Sequence, residues 1–172
     1  MKKLTAVLKQ KLENASRIAV LGIGSDLRGD DVAGIIVAKQ IKKVSSRKKS
    51  PLKIKVFIGK TAPENLTGEI RKFKPSHLII IDSADTNAQP GQVTVIKPED
   101  VVGTSFCTHS LPIKVMIDYL QQSSRNLKVI IIGVQPKNLA VGSNVSKEVS
   151  QAVEELAVTI VNLFKKDQRQ TH

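Results

Sequence analysis

Apolar positions recur along this chain with two different periods, and each change of period marks a new element. Leu4, Val7, Leu8 and Leu12 stand at helical spacing among charged residues, which predicts an amphipathic helix over residues 1–14. Arg17 to Ile23 is a short β-branched run closing on Gly22 and Gly24, the pattern of a buried strand leaving a parallel sheet. Asp30 and Asp31 then precede Ile35, Ile36, Val37, Ala38 and Ile41. Acidic residues in a first turn suit the positive end of a helix dipole, so the order is strand, loop, helix.

The alternation continues. A strand is predicted over Ile54 to Ile58, a helix from Ala62-Pro63-Glu64 through Ile70, and a strand over His77 to Asp82, the most apolar run and hence the central one. Pro90-Gly91 turns the chain into Val93 to Ile96, which follows too soon for a parallel crossover and reads as an antiparallel edge strand. Asp100 to Ser110 reads as a loop, Leu111 to Leu120 as a helix, and Val129 to Val134 as a buried strand ending at Gly133. Ser146 caps a long helix running to about Lys165, and residues 166–172 read as a frayed tail. Helices alternating with apolar strands predict a three-layer α/β/α sandwich around a mostly parallel sheet of about five strands, one of them antiparallel.

Composition narrows the class. A chain of 172 residues has the length of one domain, and 41% apolar with 24% charged residues supports a real core. No stretch approaches the roughly 20 apolar residues of a membrane span, and the charged N-terminus lacks a signal peptide's apolar run. A soluble, cytoplasmic protein is expected, with a monomer favoured. Cys107 is the single cysteine, which excludes an internal disulfide and a cysteine-rich zinc or iron-sulfur site. Lys and Arg total 27 against 15 Asp and Glu, a formal net charge of +12 that makes phosphates, acidic lipids and acidic proteins partners to consider. Seven of the cations, Lys42, Lys43, Arg47, Lys48, Lys49, Lys53 and Lys55, fall between Lys42 and Lys55 with no acid among them. Four Phe and one Tyr are the only aromatics in the whole chain, so stacking partners for bases are scarce and the run reads as a solvated loop.

In open α/β sheets ligands sit beyond the carboxyl ends of the strands. Asp30 and Asp31 follow the first strand, Asp82 ends the third, and His109 lies in the loop before the Leu111 helix. Two carboxylates and an imidazole with no thiolate suit a divalent transition metal while leaving positions open for substrate or water. Each residue also has a plainer role: either acid of the pair as a helix cap, Asp82 as an acceptor of backbone hydrogen bonds, His109 as the cap of the next helix. A charge ending the most buried strand, however, needs a partner. Gly22-x-Gly24 offers only a weak dinucleotide signal, because Leu27 replaces the third glycine and the acidic pair occupies the helix terminus that should hold a pyrophosphate. Cys107 and His109 are too close in sequence for a thiol nucleophile and its base, and no Gly-x-Ser-x-Gly elbow surrounds Ser83 or Ser110.

From about Arg17 to Phe164 the chain resembles the hydrogenase maturation endopeptidases. The resemblance is carried by the stretch from Gly22 to Gly34 (GIGSDLRGDDVAG), by Thr61-Ala62-Pro63-Glu64-Asn65, by the run from Leu78 to Asp85 (LIIIDSAD), by Thr108-His109-Ser110-Leu111-Pro112 and by Gly133-Val134-Gln135-Pro136. The second and last of these, with Ala-Pro-Glu-Asn and Gly-x-Gln-Pro, are most like the hydrogenase 3 branch. Ser25 stands where the family usually has Asn, and Val32 where it often has Gly. The resemblance implies an endopeptidase, with an aspartyl-type classification possible, that removes the C-terminal extension from the large-subunit precursor of a nickel-iron hydrogenase. It implies further that the enzyme reads nickel already inserted in that precursor, with Asp31, Asp82 and His109 as the metal-contacting and catalytic residues. Nickel then comes with the substrate, and no tightly bound cofactor of the protein's own is expected. Water could be activated by nickel or by a carboxylate, Asp30 or Asp31, acting as general base. The competing class is a non-catalytic basic module that binds nucleic acid or metal; the few aromatics favour the peptidase, with neither nucleic acid nor membrane as partner.

Overall fold

The computed structural model describes residues 1–45, 52–103, 105–106 and 113–166. Helix α1 (Lys2–Lys11) is followed by strand β1 (Arg17–Ile23), a 3-10 turn (Gly29–Val32), helix α2 (Ala33–Ser45) and strand β2 (Lys53–Lys60). A second 3-10 turn (Pro63–Leu66) leads into α3 (Thr67–Phe73), then β3 (His77–Asp85) and β4 (Val93–Ile96). A third 3-10 turn (Pro98–Gly103), the two-residue β5 (Ser105–Phe106), α4 (Ile113–Ser123), β6 (Lys128–Val134) and α5 (Lys147–Lys166) complete the order.

The main sheet runs β2-β1-β3-β6-β4, parallel except for β4, which is antiparallel to β6 at the edge. This is the predicted α/β/α arrangement, with β5 as an addition: it pairs antiparallel with the end of β3, Ala84 opposite Phe106. Two residues carry too little periodicity to signal a strand in sequence. Alternation along β1 and β3 supplies both faces. Ile18, Val20, Ile79 and Ile81 pack with α1, α2 and α5, while Ala19, Leu21, Leu78 and Ile80 pack with α3 and α4. A strand apolar on both sides is what burial between two helical layers demands.

Several boundaries differ from the sequence reading for physical reasons. The helix expected from Ala62 begins as a tight 3-10 turn with Pro63 in its first turn, and α-helix starts only at Thr67. Helix α1 stops at Lys11, and Asn14 takes a positive φ of 61° on the way to β1. Of the basic run, Lys42 and Lys43 lie in the last turn of α2, where cations oppose the negative end of the helix dipole, and Lys53 and Lys55 lie in β2; its centre and residues 167–172 fall outside the described residues. Among the described residues no helix is long and apolar enough to cross a membrane.

The order β2-β1-β3 fixes where a ligand can sit. From β1 the chain moves outward to β2 and then returns across to β3, so the connections leave β1 and β3 in opposite directions. A crevice opens beyond the carboxyl ends of these two strands.

Candidate active site

Two packed glycines bring the first loop down onto that crevice. A side chain at Gly34 would place its Cβ 2.1 Å from Ile81 O and 2.4 Å from Ile23 O, so α2 can lie directly across β1 and β3 only because the residue is Gly. Gly24 has a φ of 138°, and a Cβ there would stand 1.8 Å from Asp31 O. The Ser25 N–H donates to that same carbonyl at 3.2 Å, and the Asp31 N–H donates to Arg28 O at 2.9 Å. The main chain of Asp31 is therefore fixed on both sides, close over the end of β1.

Asp31 and Asp82 are both fully buried. Asp82 lies opposite Gly133 of β6 and one residue beyond Ile81, which pairs with Gly22 of β1. One carboxylate thus comes from the loop after β1 and the other from the adjoining strand, at the same sheet edge. The Asp82 Oδ1 accepts the Ser83 N–H at 2.7 Å, so it also has the main-chain acceptor role weighed for it above. His109, Cys107 and the rest of the Thr108–Pro112 motif lie outside the described residues. Among the described residues no three His, Cys, Asp or Glu side chains cluster closely enough to hold a metal ion.

Asp30, the third buried carboxylate, is held differently. Its Oδ2 accepts the N–H groups of Lys137 and Asn138 at 2.8 and 2.9 Å, and its Oδ1 accepts the Ser146 N–H at 2.6 Å. The Asp30 N–H in turn donates to Asn138 O at 2.9 Å. This side chain clasps the β6–α5 connection to the first loop and, through Ser146, the start of α5. Ser146 also does what its position in sequence predicts, its Oγ accepting the Val149 N–H at 3.4 Å. Charge-assisted bonds of this kind are the strong ones, so Asp30 acts as a structural acceptor that positions its neighbour Asp31.

Gln135 organises the other side of the crevice, a role that the sequence reading missed. It is buried at the end of β6, and its Oε1 accepts the Thr86 N–H at 2.8 Å and the Ala88 N–H at 3.2 Å. Its Nε2 donates to Asp85 Oδ1 at 3.2 Å. The Asn87 N–H and then the Gln135 amide hold Asp85 below the usual carboxylate range. The available signal was a polar side chain placed directly after an apolar strand and before Pro136.

The hydrogenase maturation protease family model matches residues 35–163. A curated relative from Methanocaldococcus jannaschii, provisionally described as a hydrogenase maturation protease, is 32% identical over 161 residues, covering 92% of this chain and 94% of its own. The hydrogenase 3 maturation protease of Escherichia coli K12 is 31% identical over 136 residues, with 78% of this chain and 83% of that protein covered. Among solved structures, the NiFe hydrogenase maturation protease HycI from Thermococcus kodakarensis superposes with a TM-score of 0.82 at 28% identity, over 92% of this chain and 99% of that one.

Proposed function

Because the chain belongs to the hydrogenase maturation protease family and is a peptidase, we propose that it removes the C-terminal extension of a nickel-iron hydrogenase large-subunit precursor after nickel insertion. The observation that carries this reading is the pair Asp31, in the turn after β1, and Asp82, three residues before the end of β3, both sealed from solvent at one sheet edge. Two buried carboxylates set side by side concentrate oxygen donors at one edge. Their oxygens suit a divalent ion that arrives with the substrate, and the proposed ligand set adds His109 as its imidazole.

A set of two oxygen ligands and one imidazole, without a thiolate, holds a free ion loosely. Nickel already fixed by the precursor gains several contacts at once, so selectivity for the loaded form follows from the weakness of the protein's own site. The scissile bond is cut by water, polarised by nickel or deprotonated by a carboxylate. Of the two acids in the first loop, Asp30 spends its oxygens on three main-chain N–H groups, which favours Asp31 as the general base.

The direct test is the intact mass of the large-subunit precursor before and after incubation with the protein. Loss of one C-terminal segment supports the proposal; an unchanged mass with folded protein and nickel-loaded precursor refutes it. Salt titration against generic DNA addresses the competing basic module, which requires tight binding that falls steeply with salt.

A further inference from the structure

Among the described residues β4 pairs only with β6, so its other edge is open. The Gln135 N–H donates to Gln92 O at 2.9 Å across this pair, and bonded and non-bonded pairs alternate along an antiparallel ladder. With Val93 opposite Val134, Thr94 opposite Gly133 and Val95 opposite Ile132, the main-chain groups of Thr94 face β6 and those of Val93 and Val95 face away. A groove of about 740 Å³ runs beside this edge between α1, β4 and the first half of α5. Leu4 and Val7 join Val93 and Val95 in lining it. Lys3, Lys11 and Lys97 bring positive charge to it, against the single carboxylate of Glu155.

Natural sheets usually guard an edge with a charge, a proline or a bulge within the strand itself. The strand Val93-Thr94-Val95-Ile96 has no charged residue and no proline. Its cations stand beside it, on α1 and just past its end. They repel a second copy of a chain whose formal net charge is +12, and they attract a negative partner.

We propose that the open edge of β4 and its groove form a docking surface for an extended, acidic polypeptide segment, which adds to the sheet as a further strand. Main-chain groups of the segment pair with Val93 and Val95, alternate apolar side chains meet Leu4 and Val7, and carboxylates meet the lysines. Thr94, Gly133 and Asp82 form one row across β4, β6 and β3. With strands about 4.8 Å apart, a strand added outside β4 runs about 14 Å from Asp82, a gap that some four or five extended residues span. Resting on the peptidase reading above, the segment is assigned to the protein substrate, as an anchor away from the bond that is cut.

The test uses the full chain and a six-residue peptide alternating Glu and Val with blocked ends, beside its Lys and Val counterpart. The acidic peptide is expected to shift the amide resonances of β4 and to slow hydrogen exchange at Val93 and Val95 by about tenfold or more, while the basic peptide does neither. Val95→Pro removes an outward N–H without touching a bond to β6, and Lys3→Glu with Lys97→Glu reverses the local charge; each should weaken binding by about tenfold. If the proline variant does not fold, the charge-reversed protein decides. Unchanged exchange at Val93 and Val95, equal binding of the basic peptide, or undiminished binding by the charge-reversed protein overturns the proposal. Peptide binding at β4 by a protein that leaves the loaded precursor uncut would instead sink the peptidase reading and leave the docking surface standing.

Discussion

At the amino ends of β1 and β3, Ser76 Oγ accepts the N–H groups of Ser16 and Arg17 at 3.1 and 3.2 Å and donates to Arg17 O at 3.0 Å. Arg17 Nε donates to Phe73 O at 2.8 Å, with the guanidinium 4.5 Å from the Phe73 ring centre. Among the described residues the one ionisable side chain buried there is His77, with its Nδ1 3.0 Å from Ser76 Oγ. At the carboxyl ends of the same strands three carboxylates, Asp30, Asp31 and Asp82, are all fully buried. The first end spends its polar groups on closing strand starts and buries a group that can stay neutral. The second concentrates acids, one of them, Asp30, held by three main-chain N–H groups. That difference in chemistry is why the proposed site lies at the carboxyl edge.

The largest effects should therefore fall on the acidic edge. Asp82→Asn, Asp31→Asn and His109→Ala should each lower precursor processing by at least about a hundredfold, with circular dichroism confirming the fold, whereas Cys107→Ala should process normally. Full activity in a folded His109→Ala protein would break the proposed ligand set.

Next comes a contrast in stability. Asp30→Ala leaves three main-chain N–H groups without their acceptor and should cost about 3 kcal/mol or more in urea unfolding. Ser76→Ala at the other end should cost about 1–2 kcal/mol and leave processing intact. Equal losses from the two would erase the distinction between the edges.

How much of this was legible in sequence depended on how locally each role is encoded. β1 and the central β3 announce themselves through short apolar runs rich in β-branched residues, and Asp82 stood out because a charge ending such a run demands an explanation. The role of Asp30 could not be read, because its partners Lys137, Asn138 and Ser146 are more than 100 residues away. Helix capping was the local guess; a long-range clasp is the finding. Gln135 escaped for the same reason, since its partners lie at and just after the end of β3, some fifty residues earlier. Gly24 and Gly34 were visible as motif residues, but only packing shows that one lets Asp31 fold back and the other lets α2 cross the sheet.

The smallest predicted effect concerns His77. Burial, and then the Lys128 charge, lower its pKa from the ordinary 6.5; the Lys11 main chain opposes this without a hydrogen bond to Nε2. Below pH 6.5 the unfolded chain takes up a proton that the folded protein refuses, so this group's contribution to stability is present above that pH and falls on acidification, until the folded pKa is reached. The slope is at most about 1.4 kcal/mol per pH unit. His77→Asn should remove that part of the pH dependence, as read from urea midpoints between pH 5 and 7, without altering processing at neutral pH. An unchanged slope would show that the proton is taken up elsewhere.

The central claim is that Asp31, Asp82 and His109 recognise nickel carried by the substrate. The measurement that tests it most directly is the mass of nickel-loaded and nickel-free large-subunit precursor after incubation with the wild-type protein under the same conditions. The account predicts that only the loaded precursor loses its C-terminal segment, and efficient cutting of the nickel-free form would contradict it.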